Sequence, residues 1–195
     1  MYGDVSVNRH AILAWYNSIW REGASWESRR HCLEGAFMHK IRVYVDTSVF
    51  GGTQDEEFAE VSRRFFEQVR SGLFVVLVSP LTTAELDEAP PSVIRVLQDL
   101  TAEQVEAVSL TDEVRDLANE YIRADVLGAG SADDATHVAA ATVAGADLIV
   151  SWNFRHIVNF NRICGFNAVN VRNGYRPIVI HSPREVVDVD ENQDI

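Results

Sequence analysis

The run Leu73-Phe-Val-Val-Leu-Val78 constrains this chain more than any other segment. It is apolar throughout and stops at Ser79-Pro80. It is far too short to cross a bilayer, which takes roughly 20 apolar residues. A half-solvated strand would alternate. Unbroken apolarity suits a strand covered on both faces, and such strands belong to parallel sheets with helices on either side. The flanking segments fit that reading. Residues 41–46 read as a strand. Thr53-Gln-Asp-Glu56 reads as a capping box opening a helix to about Arg70, with Phe58, Val61, Phe65, Phe66 and Val69 at helical spacing. Residues 81–87 read as a short helix stopped by Pro90-Pro91. A helix over 92–100 follows, then a strand over 105–109. Thr111 caps a helix through Val126, and Gly128-Ala-Gly130 breaks it. Ser131 caps a helix to about Ala144. Residues 147–151 read as another apolar strand, followed by a looser Asn-rich stretch and a last strand over 177–180.

Strands alternating with helices define the class: α/β, a three-layer α/β/α sandwich with a mostly parallel central sheet. This domain covers residues 38–195 and ends in an acidic, solvated tail after Glu185. Residues 1–37 read as an N-terminal extension. They hold Trp15, Trp20 and Trp26, show no strand, and precede Met38, a natural start for the domain. The segment is either packed on the outside or an upstream misread start. Residues 10–20 have the spacing of a short amphipathic helix. No signal-peptide or membrane-length pattern occurs, so no membrane partner is expected. Cys32 and Cys164 form neither a disulfide framework nor a zinc cluster, and read as thiols of a cytoplasmic protein.

The net charge is −12, which argues against a protein that simply coats nucleic acid. The charge is uneven, however. Residues 148–184 hold no acid but carry Arg155, Arg162, Arg172, Arg176 and Arg184. Trp152, Phe154, Phe160, Phe166 and Tyr175 are interleaved with them. Such a surface suits a single-stranded polynucleotide, and equally fits scattered surface arginines over core aromatics.

Parallel sheets gather ligands outside the carboxyl ends of their strands. Acids recur there. Asp46 ends the first strand in Val45-Asp46-Thr47-Ser48; Glu85 follows the second in Thr82-Thr83-Ala84-Glu85; Asp133 and Asp134 open the helix behind Ser131. Each also fits a purely structural role. Asp46 suits an N-cap, Glu85 the third position of a capping box begun by Thr82, and Asp134 the same position behind Ser131. His137 lies one turn beyond Asp134 on the same helix face, and orients it, touches substrate or is a satisfied helix residue. Asn153 follows the strand over 147–151, where a fourth acid is expected, and Ser151 adds a hydroxyl. Asp147 begins that strand and belongs at the opposite edge. Taken together, the acids point to one cluster. Converging carboxylates repel unless a cation stands between them, and Mg²⁺ or Mn²⁺ prefers oxygen ligands.

Four motifs carry a resemblance: Tyr44-Val-Asp-Thr-Ser-Val49, Thr83-Ala-Glu-Leu86, Asp134-Ala-Thr-His-Val-Ala139 and Leu148-Ile-Val-Ser-Trp-Asn153. Over residues 38 to about 189 the chain resembles a PIN-domain ribonuclease, in the group that includes VapC-type toxins of toxin–antitoxin pairs. The resemblance implies a PIN-like sandwich and Mg²⁺- or Mn²⁺-dependent cleavage of RNA. Asp46, Glu85 and Asp134 match the family's acidic ligands and Asn153 its fourth acid, a departure that weakens a second metal position. Trp152-Asn-Phe-Arg-His156 resembles a subgroup of PIN-like proteins.

The expected activity is an endoribonuclease, the toxin of a type II pair, with RNA as substrate and an antitoxin and a second copy as further partners. Asp46, Glu85 and Asp134, helped by Asn153 or Asp133, hold one or two cations, and an acidified water attacks phosphorus in line. Thr47 or Ser48 binds a metal water or phosphate oxygen; Arg155, Arg162, Arg172 and Arg176 hold the flanking backbone. The alternative is a weak or inactive PIN-like module that binds RNA or protein without cutting. An aspartyl-nucleophile phosphatase is disfavoured because position 48 is Ser, not Asp. No elbow motif supports a serine nucleophile.

Overall fold

Among the described residues, five short strands run in one direction: β1 (Ile41–Val45), β2 (Phe74–Val78), β3 (Val105–Ala107), β4 (Leu148–Val150) and β5 (Val179–His181). Their order across the sheet is β3-β2-β1-β4-β5. The computed structural model describes residues 40–187, all within the unit Lys40–Ile195. The expectations for residues 1–37 and for the end of the acidic tail lie outside the described residues. Among the described residues no helix is long and apolar enough to cross a membrane.

Strand side chains alternate between two apolar layers. Tyr44, Leu77, Ile149 and Ile180 join a core with α5 (Asp112–Arg123), α6 (Ala132–Val143) and α7 (Phe160–Arg172). Val43, Val45, Val76, Val78 and Val150 join the opposite core with α1 (Thr47–Gly52), α2 (Ala59–Arg70) and α4 (Pro91–Gln98). Leu86 of α3 (Pro80–Asp87) and Val187, just past α8 (Pro183–Val186), close that second layer. The result is a three-layer α/β/α sandwich with an all-parallel sheet. The apolar run after Gly72 is β2, covered on both faces as its composition requires.

The strand order creates the functional edge. From β1 the chain moves outward to β2 and β3, then returns to the other side of β1 to form β4 and β5. The two crossover directions diverge between β1 and β4, which leaves a crevice at their carboxyl ends. Asp46 N–H donates to Val150 O at 3.0 Å, so Asp46 stands at that crevice. Asp147 lies at the other edge, where its carboxylate accepts from Arg42 N–H at 2.8 Å.

Several local expectations need correction. Thr53 opens no helix: it ends α1, with its hydroxyl donating to Phe50 O at 2.7 Å. The next helix starts only at Ala59, after Asp55 accepts from Glu57 and Phe58 N–H. The Thr-x-x-Glu spacing was therefore a coincidence inside a turn. Thr82 is not the cap of α3. Ser79 is, with Pro80 following it, and Thr82 is the reciprocal partner of that box. Ser131 makes no side-chain cap to α6, which a 3₁₀ turn over Ala129–Ser131 introduces instead. The Asn-rich stretch hides α7, a full helix capped by Asn159, whose side chain accepts from Arg162 N–H. Its asparagines have low helical propensity, but Phe166 and Val169 bury one face against the core, and that packing overrides propensity.

Gly52 is required by a close approach. A Cβ there would lie 2.6 Å from Ser62 Oγ and 2.8 Å from Trp152 Nε1. Those two atoms hydrogen-bond each other at 2.9 Å and cannot both retreat. Gly52→Ala is expected to cost about 1–3 kcal/mol by overpacking. Gly51→Ala, with nothing within 4 Å, is the control in urea denaturation.

Candidate functional site

Asp46 leaves β1 in an extended conformation at the N-cap position of α1, but its side chain makes no cap. Its carboxylate turns into the crevice, and the residue is 6% exposed. A carboxylate so buried needs donors. Ser151 Oγ donates to Oδ2 at 2.8 Å, and Ser48 Oγ donates to the same oxygen. Ser48 in turn accepts from Trp152 N–H at 2.9 Å, which ties the start of α1 to the end of β4.

Glu85 projects from the second turn of α3, freed from capping because Ser79 and Thr82 close the box. Thr47 Oγ1 donates to its Oε2, and His137 Nε2 lies 3.1 Å from that oxygen. His137 Nε2 is also 3.9 Å from Asp46 Oδ1. One imidazole therefore faces both acids. A carboxylate only accepts, so Nε2 carries the hydrogen. On its inner side, His137 Nδ1 shares a 2.9 Å hydrogen bond with the Tyr44 hydroxyl, which also pairs with Ser79 Oγ at 2.9 Å. All three residues are buried. A polar column thus runs from the core of the sheet to the acidic edge.

The electrostatics follow from this contact. Burial alone would lower the His137 pKa, but the hydrogen bond to Glu85 and the charges of Asp46, Glu85 and Asp134 raise it above the ordinary value. Burial alone would raise Glu85, but hydrogen bonds from His137 and Thr47 and the imidazole charge hold it below the carboxylate range. Burial, with the two acids adding to it against the hydrogen bonds of Ser79 and Thr82, pushes the Tyr44 phenol up to about 12.

Asp134 belongs to a neighbouring cluster. It sits in the first turn of α6, and its carboxylate accepts from Asn153 Nδ2 at 2.6 Å and pairs with His156 Nδ1 at 2.8 Å. It does not serve as the cap partner of Ser131. Asn153 N–H donates to Ser151 Oγ at 2.9 Å, so the two clusters are joined through Ser151. The amide oxygen of Asn153 accepts from His156 N–H at 3.0 Å and so holds its own turn. Asp133 is exposed and outside both clusters.

The arginine strip is dispersed. Arg162 donates to Val126 O; Arg172 pairs with Glu120 at 2.7 Å; Arg176 donates to Gly145 and Ala146 carbonyls; Arg184 lies 3.7 Å from Glu57. Phe166 and Trp152 are buried. Arg155 alone of the five is exposed without an internal partner among the described residues. Reading the sequence missed Tyr44, Ser79 and His156 as members of the site. His156 was signalled by its place three residues after Asn153, the spacing at which an Asn side chain accepts from a backbone N–H. Tyr44 had no signal, because an aromatic inside a strand reads as core.

No family model matches the chain, and no curated protein matches it. Among solved structures, it is similar to a chain of the crystal structure of VapBC2 from Rickettsia felis bound to a DNA fragment from their promoter. The TM-score is 0.49 at 12% identity, over 73% of this chain and 98% of that one.

A hard divalent cation needs oxygen donors gathered at one point. Among the described residues no group of three or more His, Cys, Asp or Glu side chains is gathered closely enough to hold an ion. Asp46 and Glu85 do fit one in chemistry: both are hard oxygen donors, and Asp46 Oδ1 and Glu85 Oε1 accept no hydrogen bond from the described residues. Mg²⁺ is commonly held by one or two carboxylates, with waters and substrate phosphates completing its shell.

The pairing of His137 with the acids predicts a pH-dependent stability. His137 is raised above its ordinary 6.5, so its contribution is complete below pH 6.5 and lost as pH rises through the raised value. Glu85 is lowered below its ordinary 4.5, so its contribution is complete above pH 4.5 and lost as pH falls through the lowered value. The melting temperature of the full chain in EDTA is expected to decline as pH rises above 6.5. His137→Gln is expected to flatten that limb; an unchanged limb contradicts the charge pairing.

Proposed function

We propose that this chain is a PIN-like endoribonuclease that hydrolyses RNA phosphodiester bonds with the help of Mg²⁺ or Mn²⁺. One observation carries the reading: Asp46 and Glu85, from the ends of adjacent β-α units, meet around a single imidazole at the switch point of a parallel sheet. Two acids at the place where such sheets receive ligands are suited to cation-assisted phosphate chemistry. Asp46 and Glu85 would hold the cation. When bound, it supplies neutralisation of charge on the phosphate oxygens and a more acidic attacking water. Thr47, Ser48 and Ser151 fix one oxygen of each carboxylate and so orient the pair. His137 offsets the repulsion between the acids. Asp134, held by Asn153 and His156, adds negative charge beside them, and Arg155 supplies a cation for a flanking phosphate. The motifs further support a toxin of a type II pair, with an antitoxin and a second copy as partners.

A second reading, a module that binds RNA or protein without cutting, is favoured by Asp134 being engaged with Asn153 and His156 rather than gathered with the other two acids. Calorimetric titration with Mg²⁺ separates the two: the nuclease reading requires binding that Asp46→Asn abolishes. In cleavage assays on single-stranded RNA, Asp46→Asn is expected to slow the rate by at least about a hundredfold, and EDTA to stop it. Cleavage that survives both is incompatible with this function.

A further inference from the structure

The turn that follows β4 carries a feature the acidic centre does not use. Phe154 is 48% exposed, in the residue immediately after Asn153. Its ring lies 6.0 Å from that of Trp152, which stacks on Phe58 at 4.4 Å. The Trp152 indole is pinned from two sides, by its hydrogen bond to Ser62 and by the Arg184 guanidinium 5.7 Å over its ring. The backbone is equally fixed. Phe154 N–H donates to Trp152 O at 2.9 Å, and the Asn153 carbonyl accepts from Ile157 and Val158 N–H at 3.0 and 2.8 Å. Isolated exposed apolar side chains are ordinary. This one differs in lying beside a pinned Trp152–Phe58 stack, at 55° to the indole, on a hydrogen-bonded turn. The next residue, Arg155, is the cation of its segment left without an internal partner among the described residues.

We infer that the turn from Trp152 to Arg155 is a nucleobase shelf: Phe154 stacks one base of a single-stranded RNA, and Arg155 meets the adjoining phosphate. The inference rests on the reading of the site as one that receives RNA. A nucleic acid strand alternates a flat π-face with an anionic group, and adjacent Phe and Arg side chains offer one partner for each. A phenyl ring on a fixed backbone loses few rotamers on binding, so the contact is preorganised. Asn153 ties the shelf directly to the catalytic side. Its side chain binds Asp134, and its N–H binds the Ser151 hydroxyl that holds Asp46. A base on Phe154 therefore fixes the register of the strand relative to the acids.

The test measures affinity in EDTA, where cleavage plays no part, by fluorescence anisotropy of the full chain with labelled decameric oligoadenylate and with inorganic polyphosphate. Phe154→Leu keeps apolar bulk but removes the π-face, and is expected to weaken oligoadenylate binding about tenfold while leaving polyphosphate binding unchanged. Phe154→Tyr is expected to restore the loss. Arg155→Ala is expected to weaken both ligands. Equal oligoadenylate affinity of wild type and Phe154→Leu overturns the shelf, as does a wild type with no measurable affinity. An equal loss toward polyphosphate also overturns it, since the effect would not be stacking. The nuclease reading fails separately, through Asp46→Asn cleavage in Mg²⁺, so loss of either proposal is seen without loss of the other.

Discussion

Asp46 and Glu85 can occupy one sheet edge because an imidazole from the opposite layer stands against both of them. Two carboxylates brought together at a partly dry edge repel, and the burial of Asp46 sharpens that penalty. His137 answers it from inside the fold, 3.1 Å from one acid and 3.9 Å from the other. The arrangement links all three layers. Asp46 follows the central strand, Glu85 rides on the helix after β2, and His137 belongs to α6 on the far face. Tyr44 extends the link by one strand position: it precedes Asp46 by two residues and therefore points into the α6 layer, where its hydroxyl reaches the back of the imidazole.

The same economy of contacts governs the hydroxyls. Ser48, Ser151 and Thr47 each hold a carboxylate oxygen, and Ser48 and Ser151 each also accept a backbone N–H from the turn after β4. That turn is therefore braced by the site and braces it in return. Trp152 buries its indole against Gly52 and Ser62, while Asn153 gathers Asp134 and His156. A buried network of this kind is stable only when every member is satisfied, and no side-chain polar atom of the site is buried without a partner among the described residues.

The fold class was legible because its signals are local. An apolar run bounded by Ser-Pro, helical spacing after it, and acids at strand ends follow from periodicities of two and 3.6 residues. The cap of α5 at Thr111 was readable for the same reason. Caps elsewhere were not. Thr53 and Thr82 each had an acid three residues on, yet Thr53 closes a helix and Thr82 yields to Ser79, which caps the helix that Pro80 opens directly after β2. Helix α7 was invisible to propensity and exists through burial of Phe166 and Val169. The arginines looked like a strip in sequence, but a helix and a turn point them in different directions, and four of the five find internal partners.

The amino-acid sequence by itself determined that the strand over 73–78 would be buried on both faces, that the sheet would be mostly parallel, and that Asp46, Glu85, Asp134 and Asn153 would follow strand ends or open a helix. These are properties of neighbours along the chain. Tertiary structure alone decided which of them share a point. The sheet order puts β4 beside β1, and this brings Ser151 and Trp152, more than a hundred residues away, against Asp46 and Ser48. It also decided that His137 lies between Asp46 and Glu85 while Asp134 turns to Asn153 and His156. Side-chain direction at a helix start depends on what the opposing layer offers, and no spacing in one segment encodes the donors supplied by another.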